Sequence, residues 1–600
     1  MVENMEKWMV AAKKADFDGW ARQFGISPVL ARIIRNRDIT EPEEVDRFLH
    51  GTLADCYSPW LLKGMEQAVA VIGEEMDRGT KIRVIGDYDV DGICSSYILT
   101  RAFREMGAAV DTAIPHRIKD GYGLNESLIE EAHRDGVGLI VTCDNGIAAQ
   151  PQIALAAELG MRVVVTDHHE VPFTEKEGQR FEQLPPAQAV VDPKQEGCGY
   201  PWPGICGAVV VYKLVQALGE RRGYLGLAGL TEALLPFAAM ATVCDVMELR
   251  DENRILVREG LKRFAACENP GLQALMEVNG LEPSAVSAYH MGFVLGPCLN
   301  ATGRLDTAKR ALELLESRDT VQAMNAAREL KELNDSRKNM TLKGVEEAVR
   351  LIEEGGEPDP VMVVYLPQVH ESLAGIIAGR IKEKYHRPVF VLTRGEEGVK
   401  GSGRSIESYH MYNAMTRVKQ YFTKFGGHKM AAGLSMREED IEPLRQALNA
   451  DCGLTQEDFA QKVHIDVPMP VGYADMELAR QLQSLEPCGT GNPRPLFAQR
   501  GLRLLRGRRI GAKQNFARLT VLTEGKRQEI MYFGDLEEFC RRLEERHGRG
   551  SAETLFDTDT LGSAPLQSPG YEIDITYHLG INRYRGHEEL QYVIQNFHFV

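Results

Sequence analysis

Acidic residues and histidines follow three β-branched segments in the first third of the chain, and each group offers ligands for a divalent cation. Asp87, Asp89 and Asp91 follow the first segment, Asp144 follows the second, His168 and His169 follow the third, and Asp245 comes after a later apolar run. Carboxylate oxygens combined with imidazole nitrogens suit Mn²⁺ or Mg²⁺ better than soft metals. Two such cations about 4 Å apart can bind a phosphodiester and lower the pKa of a water molecule that attacks it. These residue types therefore indicate metal-dependent phosphodiester hydrolysis.

Cysteines close to these groups raise a second possibility, a zinc site with thiolate ligands. Cys94, Cys143 and Cys244 each lie within three residues of a candidate ligand. Their neighbours are mainly hard oxygen donors, which favours Mn²⁺ or Mg²⁺. The 11 cysteines include no Cys-x-x-Cys pair and are odd in number, so we expect reduced, structural thiols in a cytosolic protein.

The candidate ligands can meet only if their segments are neighbouring strands of one sheet. Short β-branched runs alternate with helical patterns at residues 95–106 and 147–159, which is typical of βαβ units. The carboxyl ends of such strands border the crevice where parallel sheets bind ligands. Asp89 and Asp91 would share one face if their segment is extended. We expect Gly92 to open the next helix, whose N-terminus favours a phosphate, and Asp245 to be a fourth strand end.

Each group also has a purely structural explanation. An Asp-x-Asp pair after a strand is often a turn or a helix N-cap, and Asp-Asn-Gly at residues 144–146 is a common turn. Adjacent histidines can simply be solvated. Four polar clusters within one βαβ region are collectively improbable as turns, so their combination favours a metal site.

Further motifs occur along the rest of the chain in a fixed order. They are Gly86–Gly92, Pro115–Arg117 with Asp120–Leu124, the triplet Asp167–His169, Leu299–Arg304, Gly426–His428 with Ala431–Gly433, and Pro487–Pro493. Together they resemble the DHH phosphoesterase superfamily, and within it the bacterial single-strand-specific DNA exonucleases. The resemblance extends from about residue 20 to the end of the sequence.

The resemblance implies a ligand set for two cations, Mn²⁺ or Mg²⁺. It makes Asp89, Asp91, Asp144, His168 and Asp245 ligands, with Asp144 between the two ions. It places His169 on a cation or on phosphate, and it leaves Asp87 as either a ligand or a residue that shapes the turn. Pyrophosphatase-like relatives have a histidine where this chain has Ile85, so the resemblance argues against a pyrophosphatase.

Substrate-binding residues follow from the same resemblance together with residue chemistry. Phosphate-binding candidates are Arg117, Arg304, Ser402, Gly403, Arg404 and His428. An arginine, a hydroxyl group and the backbone of a glycine together suit a terminal phosphate. For any one of these arginines or the histidine taken alone, an exposed arginine or a core histidine is the commoner explanation. Basic residues with an aromatic suit single-stranded nucleic acid in an OB-type barrel; these candidates are Arg506, Arg508, Arg509, Lys513, Phe516 and Arg518. The alternative for the basic set is a solvated surface.

The resemblance and the composition together predict an α/β chain of several folding units. We expect a DHH parallel-sheet domain joined by a long helix to a second α/β domain of the DHHA1 type, followed by an OB-fold barrel. The expected boundaries are 1–60 for an N-terminal helical segment, 61–255 for the DHH domain, 256–357 for a helical region with the connecting helix, 358–450 for the DHHA1-type domain, and 460–600 for the barrel with a flexible insertion at 551–570.

The expected activity is that of a metal-dependent exonuclease that removes mononucleotides from single-stranded DNA, with 5′-to-3′ polarity implied by the resemblance. The net charge of −16 argues against wholesale wrapping of nucleic acid but not against a local basic surface. We expect no membrane span, a monomer, and partners that include a single-strand-binding protein and a helicase in recombination and repair. The alternatives are a DHH-family oligoribonuclease or cyclic-dinucleotide phosphodiesterase, and a scaffold without activity.

Overall fold

The computed structural model describes residues 6–116, 123–176, 178–305, 307–395, 398–450, 452–556, 570–584 and 586–600. These residues form two compact units. The first contains residues 56–247 and 252–461, and the second contains residues 7–55, 248–251 and 462–600.

The first unit begins with a five-stranded, fully parallel sheet, as the sequence predicts. Its strands in chain order are Ile82–Gly86, Val110–Ala113, Leu139–Cys143, Arg162–Thr166 and Ala189–Val191. In space the order is second, first, third, fourth, fifth. The first and third strands are buried along their whole length because helices cover both faces of the sheet. Those helices are Met65–Asp77, Val90–Glu105, Glu126–Arg134, Gln150–Glu158, Gly207–Arg222 and Leu227–Cys244, and a small hairpin joins Phe173–Lys176 to Gln179–Glu182.

Two expectations about this sheet are wrong. The Asp89–Asp91 segment is not extended, because the helix Val90–Glu105 begins inside it and Asp89 is the N-cap. Asp245 is not a strand end but the C-cap of the helix Leu227–Cys244. That apolar run is 18 residues long and rich in alanine and leucine, which exceeds the usual length of a strand and favours a helix.

The helix Leu227–Cys244 is also the one described helix that is long and apolar enough to cross a membrane by length and composition alone. Its central residues, among them Leu234 and Phe237, are fully buried inside the first unit. A core helix passes the same length and composition test, so this helix is explained by its place in the fold.

A helical region connects the parallel sheet to a second sheet within the first unit. Its elements are Asp251–Phe264, Pro270–Val278, Ala288–His290, a π-helical turn at Met291–Leu295, Gly296–Leu305, Lys309–Glu316 and Thr320–Glu354. Residues 308–354 form two consecutive helices, the second of which is the long connecting helix. Asp319 separates them because its side chain accepts a hydrogen bond from Gln322 N and caps the longer helix.

The second sheet has five strands of mixed direction. In spatial order they are Lys424–Gly427, Ala431–Met436, Gly398–Arg404, Val389–Gly395 and Met362–Tyr365, and only the last two run parallel. The accompanying helices are Ala374–Tyr385, Met411–Arg417 and Ile441–Ala450. This α/β arrangement agrees with the predicted second domain type.

The second unit contains a closed five-stranded barrel. Its strands are Phe497–Ile510, Phe516–Thr523, Lys526–Tyr532, Glu572–Tyr584 and His587–Phe599. The barrel closes because its first strand pairs with both its second and its fourth strand. Shorter strands are Glu6–Val10, Gln461–Ile465 and Val467–Pro468, and the helices beside the barrel are Met476–Gln483, Leu536–His547 and Ser551–Phe556.

The N-terminal helices share one core with this barrel. They are Phe17–Phe24, Pro28–Asn36 and Pro42–His50, and their Ile33 and Phe48 lie in the same apolar cluster as Phe497 and Tyr577. A buried ion pair reinforces the junction, with Arg37 Nη1 lying 2.6 Å from Asp466 Oδ1. A buried pair of this kind is costly to break on one side only.

The predicted flexible insertion at 551–570 needs a partial correction. Ser551–Phe556 is a helix whose Leu555 side chain is 1% exposed. Apolar residues at helical spacing therefore anchor the start of this segment in the core. Residues 557–569 lie outside the described residues.

Candidate metal centre

The structure brings the predicted metal ligands together at the carboxyl edge of the parallel sheet. Three groups have ligand atoms that all lie within 4.8 Å of one another: Asp87 with Asp89 and Asp144, Asp91 with His168 and Asp245, and Asp144 with His168 and His169. Asp144 and His168 each belong to two groups. Strand order explains the meeting, because the first, third and fourth strands are adjacent at this edge.

Asp89 serves as helix cap and candidate ligand at once. Its Oδ1 accepts hydrogen bonds from Asp91 N at 2.9 Å and Gly92 N at 3.1 Å. A Cβ on Gly92 would lie 2.4 Å from the carbonyl oxygen of Asp87, so this tight turn requires glycine. The structural and the metal-binding explanations of the Asp-x-Asp pair are therefore compatible.

The start of the helix Gly207–Arg222 holds Asp91, a contribution that sequence reasoning missed. Backbone N–H groups of Gly207 and Ala208 each donate to the Asp91 carboxylate at 2.7 Å. A Cβ on Gly207 would lie 2.8 Å from Asp144 Cβ, which shows how closely this helix approaches the site. The helix N-terminus stabilises the buried carboxylate. No local signal near Asp91 identifies a donor more than 100 residues away.

Asp144 is placed by the turn that follows the third strand. Its backbone has a φ of 60°, a left-handed conformation in which aspartate is common among non-glycine residues. The next residue, Asn145, is fully buried and donates from Nδ2 to Ile85 O at 3.1 Å and Cys143 O at 3.0 Å. Asn145 thus ties two strand ends together and fixes the direction of Asp144.

His168 has the environment of a metal ligand. Its Nε2 lies 3.2 Å from Asp144 Oδ1 and 3.6 Å from carboxylate oxygens of both Asp91 and Asp245. This nitrogen is buried and forms no hydrogen bond with them. A buried imidazole nitrogen facing three carboxylates fits a cation held between them.

Asp167 positions the neighbouring His169. Its Oδ1 lies 2.8 Å from His169 Nδ1 and accepts hydrogen bonds from the N–H groups of His168 and His169, and its Oδ2 accepts from Ile147 N at 2.9 Å. Although burial opposes protonation of His169, the hydrogen bond with Asp167 and nearby carboxylates raise its pKa to about 9. The sequence placed Asp167 in the motif but gave it no role.

Burial, followed by the charges of neighbouring groups, shifts the pKa values of the site residues. Burial, and then the charge of Asp89, raises the pKa of Asp91 to about 7. Burial, and then the charge of Asp91, raises the pKa of Asp245 to about 8. The pKa of Asp144 is well above its usual value for the same reasons. Burial and the nearby His169 lower the pKa of His168 to about 3, which keeps this imidazole neutral as a ligand must be. The donor set therefore fits divalent cations.

Ser402, Gly403 and Arg404 lie on one strand of the second sheet, under the start of the helix Ala374–Tyr385. Arg404 Nη1 donates to Ser402 Oγ at 3.0 Å. A Cβ on Gly375 would lie 2.9 Å from Arg404 Nη2 and 3.0 Å from Ser402 Oγ. The close approach of the helix start adds a second anion-favouring feature, which the sequence did not reveal.

The remaining phosphate-binding candidates are more scattered. Arg304 Nη1 donates to Ser372 O at 3.0 Å, while a Cβ on Gly303 would lie 2.7 Å from Tyr88 O. The helix that carries Gly303 and Arg304 therefore contacts both the segment of Asp87 and Asp89 and the segment that follows the first strand of the second sheet. His428 is exposed in a turn of that sheet. Arg117 lies outside the described residues.

The barrel separates the basic candidates into two sets. Arg508 is directly opposite Arg518 in the ladder, and Arg506 is two residues from Arg508 on the same outward face. Like charges opposite each other destabilise a ladder unless an anion joins them. Arg509 instead lies over the Phe556 ring, 5.2 Å from its centroid.

Two other barrel candidates lie near this face. Phe516 packs edge-on against Phe533, with ring centroids 5.4 Å apart. Lys513 is exposed in the turn before it.

Replacing Asp144 with asparagine should raise the melting temperature of the chelated protein by about 2 °C or more and abolish the further rise that Mn²⁺ causes in the parent protein. The change removes a buried charge that its neighbours repel, and also an anionic ligand that two groups share. Differential scanning calorimetry with chelator and with Mn²⁺ measures both effects.

Asp192 provides the matched control. It is fully buried after the fifth strand and burial raises its pKa to about 8, yet among the described residues it belongs to none of the three ligand groups. Asp192→Asn should also stabilise the chelated protein but keep the response to Mn²⁺. A full Mn²⁺ response in Asp144→Asn would contradict the shared-ligand assignment.

Comparison with known proteins accounts for the whole architecture. Three family models match: the DHH family N-terminal domain at residues 81–242, the DHHA1 domain at 359–453 and the RecJ OB domain at 465–596. The single-stranded-DNA-specific exonuclease RecJ of Bacillus subtilis is 34% identical over 545 residues, covering 90% of this chain and 67% of that protein. Its Escherichia coli counterpart is 33% identical over 605 residues, covering 95% and 96%.

Solved structures agree with these matches. The crystal structure of RecJ in complex with Mn²⁺ from Thermus thermophilus has a TM-score of 0.79 at 27% identity and covers 100% of this chain and 80% of that one. The Mg²⁺ complex from the same organism has a TM-score of 0.73 at 26% identity, with coverage of 100% and 79%. On the identity to the E. coli relative over nearly its full length, the chain belongs to the RecJ family of the DHH phosphoesterase superfamily.

Proposed function

We propose that this chain is a single-stranded-DNA-specific exonuclease that depends on Mn²⁺ or Mg²⁺ and hydrolyses phosphodiester bonds. The observation that carries the proposal is the buried His168 nitrogen facing Asp91, Asp144 and Asp245. Named RecJ relatives and metal-bound RecJ structures support the same activity. The 5′-to-3′ polarity and the release of mononucleotides rest on the family resemblance.

The site residues divide into two overlapping cation-binding sets. Asp87 and Asp89 with Asp144 would hold one cation, and Asp91, His168 and Asp245 with Asp144 would hold the other. When bound, the cations neutralise charge on the scissile phosphate and lower the pKa of the attacking water. Asp144 is the residue that both sets share, as the resemblance implies.

His169 stabilises negative charge on the phosphate. Although burial opposes protonation, the hydrogen bond with Asp167 raises the pKa of His169 and so favours the protonated ring, and it fixes the orientation of the ring through Nδ1. The side chain is 45% exposed, so its outer edge can reach a substrate. A positioned cation of this kind acts on the charge that develops during the reaction.

Ser402, Gly403 and Arg404 hold the terminal phosphate of the strand. Burial lowers the pKa of the Arg404 guanidinium, whose fork faces the start of a helix at Gly375. An entering phosphate would receive a hydroxyl, a guanidinium and helix N–H groups. Arg304, His428 and Arg117 are assigned to the same strand end on the resemblance alone.

The alternative activities are less favoured. An oligoribonuclease or cyclic-dinucleotide phosphodiesterase acts on small substrates that do not need an extended single-strand surface. This chain carries a RecJ OB domain with an outward row of arginines. We also propose a cytoplasmic location, consistent with eleven free thiols, and cooperation with a single-strand-binding protein and a helicase.

Digestion of end-labelled single strands tests the activity directly. With Mn²⁺, a 5′-labelled strand should release labelled mononucleotide at once, whereas a 3′-labelled strand should shorten gradually. Chelator should stop both reactions, and a blunt duplex should resist. Gel analysis of product size and label position reads out reaction, polarity and metal dependence.

Two results would contradict the proposal. Release of internal fragments would indicate an endonuclease, and preferential cleavage of dinucleotides over long strands would support the alternative activity. The Asp144→Asn variant serves as the inactive control for contaminating nucleases.

Replacing Arg404 with alanine should raise KM about 10-fold for strands with a 5′-phosphate and much less for strands with a 5′-hydroxyl, since a charge-assisted hydrogen bond to phosphate is worth roughly 1.5–3 kcal/mol. Arg394→Ala is the matched control, because Arg394 is exposed on the neighbouring strand. Steady-state kinetics on paired substrates measures the ratio. An unchanged preference for the 5′-phosphate would remove Arg404 from the end-binding site.

Neutralising Arg506, Arg508 and Arg518 to glutamine should weaken DNA binding and reduce the slope of log Kd against log salt by about 2. The reason is that fewer counterions are released when fewer arginines contact phosphates. Arg509→Gln should leave the slope unchanged, because that side chain packs on Phe556. Fluorescence anisotropy across a salt titration measures the slope for the triple variant and for Arg509→Gln. Equal slopes in all variants and the parent protein would show that this face of the barrel does not bind DNA.

A further inference from the structure

Two aromatic side chains stand exposed on the helical segment before the Leu299–Arg304 motif. Tyr289 is 64% exposed and Phe293 is 67% exposed. Their ring centroids are 5.0 Å apart and their planes differ by 24°, so the rings are stacked. Spacing of four residues places both on one side of the helix. Contiguous exposed apolar patches often mark a binding site on a protein surface.

The segment that carries the pair packs against the end of the helix that delivers Asp245. Cys244 Sγ lies 3.4 Å from the carbonyl oxygen of Met291, to which it donates. A Cβ on Gly296 would lie 2.5 Å from Cys244 Sγ. The π-helical turn therefore packs against the residue immediately before a metal ligand, and the same short segment carries the aromatic pair.

Local contacts hold the pair in one orientation. His290 turns back and accepts a hydrogen bond from Ser287 N at 3.1 Å. Its ring meets Tyr289 edge-on, with centroids 5.8 Å apart and planes at 80°. The π-helical turn at Met291–Leu295 is a rare element that occurs frequently at functional sites. The rings are therefore ordered before any ligand arrives.

Val246 is another exposed apolar residue, next in the chain to a metal ligand. It directly follows Asp245, is 66% exposed and has a φ of 58°. A β-branched residue in this region is strained, and such strain is typical of functional sites. Exposed apolar residues on segments that pack at a phosphodiester-binding centre suit a ligand that carries both phosphate and flat apolar groups.

We infer that Tyr289 and Phe293 form a stacking platform for an unpaired base of the DNA strand that is bound at the metal centre. The inference rests on the proposed function. It adds two named residues that would help the enzyme to prefer single-stranded DNA over duplex DNA. Bases of a single strand have free faces that stack on aromatic side chains, independently of sequence. Bases inside a duplex are already stacked on both faces and gain nothing from the platform.

Oligodeoxythymidylates with one abasic nucleotide, moved stepwise from the degraded end, test the platform. In the parent protein, one abasic position should raise KM about 10-fold with little change in kcat. In the double variant Tyr289→Ala with Phe293→Ala, the intact strand should already show the raised KM, and the abasic position should add nothing. The single variant Phe293→Trp should keep the KM and the abasic penalty of the parent protein, because tryptophan still offers an aromatic face.

Phe181→Ala is the control, because Phe181 is a partly exposed phenylalanine on the hairpin Gln179–Glu182. Unchanged KM and an unchanged abasic penalty in the double variant would overturn the inference, as would a loss of kcat alone. If the double variant melts early, Phe293→Leu replaces it, since leucine keeps the apolar bulk and removes the ring.

A binding measurement separates this inference from the proposed function. Without added metal, 2-aminopurine placed at the same position should be quenched by the parent protein and not by the double variant. Quenching without any Mn²⁺-dependent digestion would contradict the exonuclease proposal alone. Equal quenching in both proteins would contradict the platform alone.

Discussion

Mutual repulsion between carboxylates at the carboxyl edge of the parallel sheet is the constraint on which the rest of the first unit depends. Burial removes the water that would screen these charges, so the pKa values of Asp91, Asp144 and Asp245 rise. Backbone donors at Gly207 and Ala208 offset part of the repulsion at Asp91. The remainder is an electrostatic cost that divalent cations relieve, which couples the stability of the fold to occupation of the site.

Structural and catalytic demands fall on the same residues here. Asp89 caps a helix and belongs to a ligand group, and Asp144 occupies a left-handed turn and belongs to two. Each side chain is therefore oriented by a local backbone interaction before a cation binds. Such preorganisation reduces the cost of holding ligands in place. A structural role for Asp89 or Asp144 in a turn or helix cap therefore does not exclude a role as a metal ligand.

The strands that local sequence patterns determine were predicted correctly. Contacts that come from segments far away in the chain were missed. The strands ending at Gly86, Cys143 and Thr166 were predictable because β-branched runs mark them and their ligands follow directly. The helical character of the Asp245 region was missed, although the apolar run of 18 residues before it is longer than a strand usually is. Gly207 and Gly375 could not be found, since their importance lies in a missing Cβ next to residues far away in the chain.

Three buried thiols and the partly buried Cys244 lie near the carboxylates, and they bear on which metal the site selects. Burial, and then the negative charge of nearby groups such as Asp91, raises the pKa of Cys94, Cys143, Cys206 and Cys244. Among the described residues, the three ligand groups contain carboxylates and imidazoles but no cysteine. The cysteines thus act as small apolar packing around a hard donor set, which disfavours zinc and favours the Mn²⁺ or Mg²⁺ chemistry that a phosphodiesterase of this family requires.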